Sequence, residues 1–127
     1  MIALDASVLI ALLETGDQHH QRAREFLSAA VDQPWIINVL TLAEVMVAPA
    51  RFGRLPLAKA ALDSLALRVD AISADQAEAL ALLRAETGLK MPDVCVLLTA
   101  LAAGASVATF DDRLASAARS RGVSLSF

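Results

Sequence analysis

The stretch Ile2-Ala3-Leu4-Asp5, with the helical run over residues 6–14 that follows it directly, decides the fold of this chain. A short apolar run that leads straight into a helical run predicts a buried strand followed by a helix. The same succession recurs, with strands predicted at residues 35–38, 69–72 and 106–110. Strands separated by helices form a parallel sheet that is covered on both faces. We therefore expect a three-layer α/β/α sandwich whose central parallel sheet has four to five short strands.

Helices are predicted between these strands, and several have a clear start or stop signal. They cover residues 17–31, 41–50, 57–68, 73–88, 92–103 and 111–121, and residues 123–126 are expected to form a last, short edge strand. Ser73 and Gln76 form a capping box at the start of one helix. Gly88 is a suitable C-cap for that same helix, and Gly104 is one for the next. The alternation of strand and helix thus runs through the whole chain.

The composition excludes several classes of protein. The 127 residues are 57% hydrophobic and 20% charged, which excludes a disordered chain and predicts one compact domain over residues 1–127. Aromatic residues make up 4% and tyrosine is absent, so an aromatic platform for base stacking is not expected. The single cysteine, Cys95, excludes an internal disulfide and a cysteine-based zinc site. We expect Cys95 to be a small core residue of a protein in a reducing compartment.

The charge and hydropathy limit the partners. A net charge of −3 argues against a protein that holds nucleic acid by bulk positive charge. The longest apolar stretch, residues 94–105, falls short of the roughly 20 residues that a membrane-spanning helix needs. The N-terminal segment has no basic lead and contains Asp5, so a signal peptide is not expected. These features predict a cytoplasmic protein with no membrane association.

Acidic residues follow the predicted strands at one edge of the sheet. Asp5 closes the first strand, and Glu44 lies one turn into the helix after the second. Asp93 lies in the first turn of the helix that Pro92 opens, and Asp111 directly follows the fourth strand. Carboxylates gathered in one cleft repel one another, and a hard divalent cation such as Mg²⁺ relieves that repulsion. The pattern therefore predicts a metal site that also accounts for an acidic protein acting on a phosphate backbone.

Each acid also has a structural explanation that the sequence leaves open. Thr41 and Glu44 have the spacing of a capping box. Asp93 complements a helix dipole, and Asp111 is a natural N-cap. Asp5 is harder to explain in this way, because it interrupts an apolar run in which an unpartnered carboxylate is costly.

Four segments in series carry a resemblance to a known family. They are Ile2-Ala3-Leu4-Asp5-Ala6-Ser7, Thr41-Leu42-Ala43-Glu44-Val45, Pro92-Asp93 with the apolar helix that follows, and Ala108-Thr109-Phe110-Asp111-Asp112-Arg113-Leu114. In order, spacing and total length the chain resembles a PIN domain, in particular the toxin of VapBC-type toxin–antitoxin pairs. The resemblance covers essentially the whole chain.

This resemblance implies an endoribonuclease that uses Mg²⁺ or Mn²⁺. The metal-binding acids that it implies are Asp5, Glu44, Asp93 and Asp111, with Asp112 as a further candidate, and the accompanying hydroxyls are Ser7 and Thr109. The implied partners are a single-stranded or structured RNA substrate, a second copy of the chain and a cognate antitoxin. In the family, an antitoxin segment covers the active-site groove, where an arginine can take the place of the metal's charge.

Other residues are weaker candidates. Lys90, Arg51 and Arg54 are candidate contacts to RNA phosphates, with Lys90 favoured by its place beside Asp93. The neighbouring histidines, His19 and His20, are expected on a solvated face, since adjacent helical residues point about 100° apart. Trp35 is expected to pack, and Arg113 to pair with Asp111 or Asp112. The many apolar residues of the helices over residues 41–68 predict an exposed apolar surface and hence a homodimer.

Three other functions are weighed at this stage. A catalytically inactive PIN module would serve only as a binding scaffold, although such a module has no reason to keep four mutually repelling acids. An aspartate-dependent phosphatase needs a second acid two residues after its nucleophile, where this chain has Ser7. A phospho-acceptor receiver domain needs an acidic pair after its first strand and a late lysine, and the sequence has neither.

Overall fold

A parallel four-stranded sheet forms the centre of the computed structural model, which describes all residues from 1 to 127. Its strands are β1 (Ile2–Leu4), β2 (Trp35–Asn38), β3 (Arg68–Asp70) and β4 (Ser106–Ala108). They lie in the order β3-β2-β1-β4, and Ile2 is in register with Trp35 on one side and Ser106 on the other. The predicted parallel sheet is confirmed. The predicted edge strand at residues 123–126 is reduced to one parallel bridge between Val107 and Leu125.

Seven helices surround the sheet. They are α1 (Ala6–Leu13), α2 (His20–Ala29), α3 (Val39–Arg51), α4 (Leu55–Asp63), α5 (Ala77–Thr87), α6 (Met91–Ala103) and α7 (Asp112–Ser120). A 3₁₀ turn, Ala74–Gln76, precedes α5, and the predicted capping box of Ser73 and Gln76 is present there. None of these helices has both the length and the hydropathy to cross a bilayer.

Of the helix boundaries that differ from the prediction, two do so because a local turn competes with the helix. α2 begins at His20 rather than at residue 17, since Asp17 Oδ1 accepts a hydrogen bond from the His19 amide at 2.7 Å and turns the chain there. α4 ends at Asp63 rather than at residue 68. Ala66 then adopts a left-handed φ of 52°, which ends any helical path and leads into β3.

The core lies on both faces of the sheet, as the three-layer prediction requires. Ile2 and Leu4 of β1 pack with α1 to α4, whereas Ala3 faces α5 to α7. The same alternation divides Ile36 and Ile37 of β2 between the two faces. Strands buried on both sides explain why their sequences are continuously apolar rather than alternating.

The strand order reverses next to β1. β2 and β3 lie on one side of β1, and β4 returns to its other side. In parallel α/β sheets, ligands bind beyond the carboxyl ends of the strands at such a reversal. The segments that leave β1 and β4, which begin with Asp5 and Thr109, are therefore the place where a site is expected.

Candidate active site

Asp5 is a buried carboxylate held by two hydroxyl groups. It follows β1 directly, has 6% of its surface exposed, and its amide still donates to the Ala108 carbonyl of β4 at 3.0 Å. Its side chain makes no capping hydrogen bond to α1. Ser7 Oγ and Thr109 Oγ1 instead donate to Asp5 Oδ2, at 2.7 and 2.8 Å. Both hydroxyls satisfy the same oxygen, so Asp5 Oδ1 has no hydrogen-bond donor from the protein.

The same two hydroxyls organise the turn between β4 and α7. Ser7 Oγ accepts a hydrogen bond from the Phe110 amide at 3.1 Å, and Thr109 Oγ1 accepts one from the Asp111 amide at 2.9 Å. Each hydroxyl thus gives its hydrogen to Asp5 and offers a lone pair to the turn. The position of Asp111 relative to Asp5 is therefore set through Ser7 and Thr109.

Asp111 also caps a helix, which confirms the structural role that the sequence left open. Its Oδ1 accepts a hydrogen bond from the Leu114 amide of α7 at 2.9 Å. Its other carboxylate oxygen has no partner in the protein. Asp112 is exposed in the first turn of α7 and is not among the charges that act on Asp93, whereas Asp111 is.

Glu44 lies in the second turn of α3, because that helix begins earlier than predicted. Asn38 Oδ1 accepts a hydrogen bond from the Thr41 amide at 2.9 Å and caps the helix. The capping box suggested for Thr41 and Glu44 is therefore wrong, since Asn38 occupies the cap. Burial, followed by the negative charges of Asp5 and Asp93, raises the pKa of Glu44 above its ordinary value.

Asp93 lies in the first turn of α6, close enough to Asp5 and Asp111 for their charges to act on it. Burial, followed by the charges of Asp5 and Asp111, raises the pKa of Asp93 to about 6, against the opposing effects of Lys90 and Arg113. A first-turn aspartate that served only the helix dipole would have its pKa lowered. The dipole alone therefore does not describe the environment of Asp93.

The carboxylates form no ion pair with a cation of the protein. The ion pairs of the chain, Arg68–Asp70 and Arg121–Glu86, lie elsewhere, so the pairing suggested for Arg113 does not form. As they stand, no three His, Cys, Asp or Glu side chains have the arrangement of a metal site. The available donors are nonetheless all carboxylate oxygens, the ligand type that Mg²⁺ and Mn²⁺ prefer. Four like charges without a counter-charge also repel one another, which favours side chains that stand apart.

The candidate RNA contacts fall in two separate places. Lys90 is exposed and lies close enough to Asp93 to act on its pKa. Arg51 is the exposed last residue of α3, and Arg54 lines a cleft with Leu13 at the far end of α1. The 8 residues of α1 place that end about 12 Å from its start beside the acids. The structure therefore brings Lys90 to the acids but does not bring Arg51 or Arg54 there.

Sequence reasoning missed Asn38, which joins two helices of the site. The side chain is 1% exposed, and its Nδ2 donates to Thr99 Oγ1 at 3.3 Å. Thr99 Oγ1 in turn donates to the Cys95 carbonyl of α6 at 2.7 Å. Asn38 therefore links the start of α3, which carries Glu44, to α6, which carries Asp93. The available signal was a polar residue that closes an apolar strand and precedes a helix.

The two histidines do not form a solvated face, which corrects the expectation for them. The ring of His19 stacks on that of Phe110, with centroids 4.3 Å apart and planes 9° apart. His20 Nδ1 donates to the Ala11 carbonyl of α1 at 2.7 Å. The turn at Asp17 is the reason, because it leaves His19 outside α2 and directs the chain back towards α1 and β4. Cys95, in contrast, is buried as predicted.

The sequence matches one protein-family model over nearly its whole length. The model is that of the PIN domain, and it matches residues 2–120. No curated protein sequence matches the chain.

Several solved structures share the fold. The sarcin–ricin loop cleaving toxin VapC20 of Mycobacterium tuberculosis has a TM-score of 0.78 and 22% identity, over 92% of this chain and 95% of its own. A toxin–antitoxin complex from Klebsiella pneumoniae has a TM-score of 0.72 and 29% identity, over 87% of each chain. VapBC2 of Rickettsia felis, bound to a DNA fragment from their promoter, has a TM-score of 0.74 and 17% identity, over 98% and 97%.

Proposed function

This chain belongs to the PIN domain family, and on that premise we propose that it is a metal-dependent endoribonuclease that acts as the toxin of a toxin–antitoxin pair. In this proposal residues 1–127 work as one domain. Proteins of similar structure include a toxin that cleaves the sarcin–ricin loop and a toxin–antitoxin complex, which supports both the nuclease and the toxin assignment.

One observation carries the proposal: the strand reversal at β1 gathers carboxylates that form no ion pair within the protein. The charge of Asp5 acts on both Glu44 and Asp93, and that of Asp111 acts on Asp93. Such a cluster is destabilising by itself, and sites that accept this kind of cost are typically functional. A catalytically inactive scaffold would gain nothing from it.

We assign Asp5, Glu44, Asp93 and Asp111 to the binding of Mg²⁺ or Mn²⁺. When bound, such an ion orients the phosphate, activates a water molecule and stabilises the charge that develops on the leaving oxygen. The fit rests on the donor chemistry, because Asp5 Oδ1, one oxygen of Asp111 and both other carboxylates have no protein hydrogen-bond donor. Asp112 is left outside this set, since it does not act on Asp93.

The side chains around the acids have separable roles in this proposal. Ser7 and Thr109 hold Asp5 Oδ2, so that its other oxygen keeps a fixed direction. The raised pKa of Asp93, about 6 in the metal-free protein, reflects like charges and burial that a bound cation would offset, which favours Asp93 as a ligand. Lys90 lies beside Asp93 and is placed to contact an RNA phosphate.

The purified protein should cleave single-stranded RNA in the presence of Mg²⁺ or Mn²⁺, because the acids need a cation before an anionic backbone can approach. Cleavage is followed on an end-labelled RNA by gel, and excess chelator should stop it completely. Re-addition of Mn²⁺ to the chelated sample controls for damage to the protein. Cleavage that continues in excess chelator would exclude the metal mechanism, and metal binding without any cleavage would indicate the inactive module.

The proposed protein partners are a second copy of the chain and an antitoxin. Phe52 and Leu57 are the most exposed large apolar residues, at 73% and 74%, and Val47 of α3 is exposed nearby. Leu57 lines a cleft of about 190 Å³ together with Leu13 and Pro49. Exposed apolar surface of this kind marks interaction sites. A basic antitoxin segment would complement the unneutralised carboxylates.

The homodimer is tested by light scattering on the isolated protein at micromolar concentration. We expect a dimer mass, and we expect Leu57→Glu to give a monomer, because a carboxylate on the apolar surface cannot be buried unpaired. Leu82→Glu is the matched control, since Leu82 is also exposed but lies on α5, on the opposite layer. A monomer mass for the unmodified chain would refute this interface.

A further inference from the structure

Three of the four phenylalanines of the chain meet at one place, although they are far apart in the sequence. The ring of Phe127 lies 4.9 Å from that of Phe110 and 4.6 Å from that of Phe26. His19 adds a fourth ring, stacked flat on Phe110. The low aromatic content argued against a stacking platform, but the structure concentrates the few rings available and adds a histidine to them.

A cation completes this group, which we term the His19 cluster (His19, Arg22, Phe26, Phe110 and Phe127). Arg22 lies on the first turn of α2, and its Cζ is 5.5 Å from the Phe110 centroid and 5.0 Å from the Phe127 centroid. Its guanidinium forms no ion pair and donates no hydrogen bond within the protein. Arg22 is exposed, so its five donors are available to a ligand.

The His19 ring is fixed in place without using its own polar atoms. Asp17 Oδ1 holds the His19 amide at 2.7 Å, and Phe110 covers one face of the ring. Neither ring nitrogen has a hydrogen-bond partner in the protein, and the residue is only half-buried.

The His19 cluster adjoins the acids. Phe110 immediately precedes Asp111, so their Cα atoms are about 3.8 Å apart. The Phe110 amide donates to Ser7 Oγ, the hydroxyl that also holds Asp5. The turn that carries Asp111 therefore also carries the ring on which His19 stacks, which puts the His19 cluster next to the acids.

We propose that His19 and Arg22 form a nucleotide-binding subsite, in which a base next to the cleaved phosphate stacks on His19 and Arg22 contacts the same nucleotide. This inference rests on the proposed ribonuclease function and names the part of the site that holds the substrate. Unpaired bases of RNA are commonly held by stacking on aromatic or histidine rings, with arginine beside them. An acidic protein with few basic residues near its active site gains substrate affinity from such stacking.

The test measures binding of a fluorescein-labelled single-stranded RNA of mixed sequence by anisotropy, with Mn²⁺ present. The chain carries Asp93→Asn throughout, so that the RNA stays intact. His19→Leu keeps apolar packing on Phe110 but removes the flat ring, and Arg22→Gln removes the charge. Arg24→Gln is the matched control, because Arg24 is exposed on the same helix but is not part of the His19 cluster.

We expect His19→Leu and Arg22→Gln each to weaken RNA binding roughly tenfold. We expect Arg24→Gln to leave RNA binding unchanged and His19→Phe, which restores a flat ring, to recover most of it. Thermal melting of each variant shows that the fold is retained, and Arg22→Gln changes only an exposed residue. Unchanged RNA affinity in both folded variants would overturn the subsite and leave the ribonuclease standing. If the unmodified chain neither cleaves nor binds RNA, the proposed function fails and the subsite fails with it.

Discussion

Replacing Asp93 by Asn should reduce RNA cleavage by at least about 100-fold while the protein stays folded. The substitution keeps the shape of the side chain but removes one of the charged oxygens that we assign to the metal. Burial and the charges of Asp5 and Asp111 already disfavour the ionised form of Asp93. Removing this charge should therefore leave the free energy of unfolding unchanged or raise it at neutral pH.

The activity is measured as the initial rate on end-labelled RNA, and stability is measured by urea denaturation. Asp112→Asn is the matched control, because Asp112 is a neighbouring exposed aspartate that does not act on Asp93. It should retain most of the activity, which also decides between Asp111 and Asp112. Asp5→Asn should be inactive as well, but it is the poorer probe, because Asp5 Oδ2 holds both Ser7 and Thr109. A loss of more than about 2 kcal/mol in Asp93→Asn would show that Asp93 stabilises the fold rather than the metal.

The metal-free protein should become more stable as the pH is lowered from about 7.5 to about 5. The pKa of Asp93 is raised to about 6 in the folded protein from its ordinary value of 3.8, and the pKa of Glu44 is raised too. Between these values the folded state binds more protons than the unfolded state, so stability falls as the pH rises. The stabilisation that protonation of Asp93 gives the folded protein is fully present below pH 3.8 and is lost as the pH rises through about 6. For a chain of this size, we expect the melting temperature to rise by a few degrees as the pH is lowered over this range.

Calorimetry with chelator present checks this pH dependence, and Asp93→Asn should flatten it. Added Mg²⁺ or Mn²⁺ should raise the melting temperature at neutral pH, because an ion that binds only the folded state stabilises it. The same addition should have less effect near pH 5, where Asp93 is largely protonated and attracts a cation less strongly. A melting temperature that rises with pH across this window in the chelated protein would contradict a cluster of repelling carboxylates.

The local sequence pattern was sufficient to predict much of the architecture. The predicted bounds of β2 are those observed, and α6 ends at Ala103 before Gly104 in a left-handed conformation, as predicted. It was not sufficient at the start of α3, where Asn38 and Thr41 both have side chains that cap helices. Only the position of the strand end relative to the helix determines which of them accepts the hydrogen bond.

By itself, the sequence determined the parallel α/β architecture and the placement of the acids at the carboxyl edge of the sheet. Both follow from the spacing of the hydrophobic residues and from the identity of the residue after each strand. These are local features of the sequence. Only the tertiary structure decided that β4 returns beside β1, which lets Thr109 hold Asp5 across 104 positions of sequence. The tertiary packing likewise decided that His19 stacks on Phe110. Such pairs depend on how whole elements pack, and no local propensity of either residue specifies its distant partner.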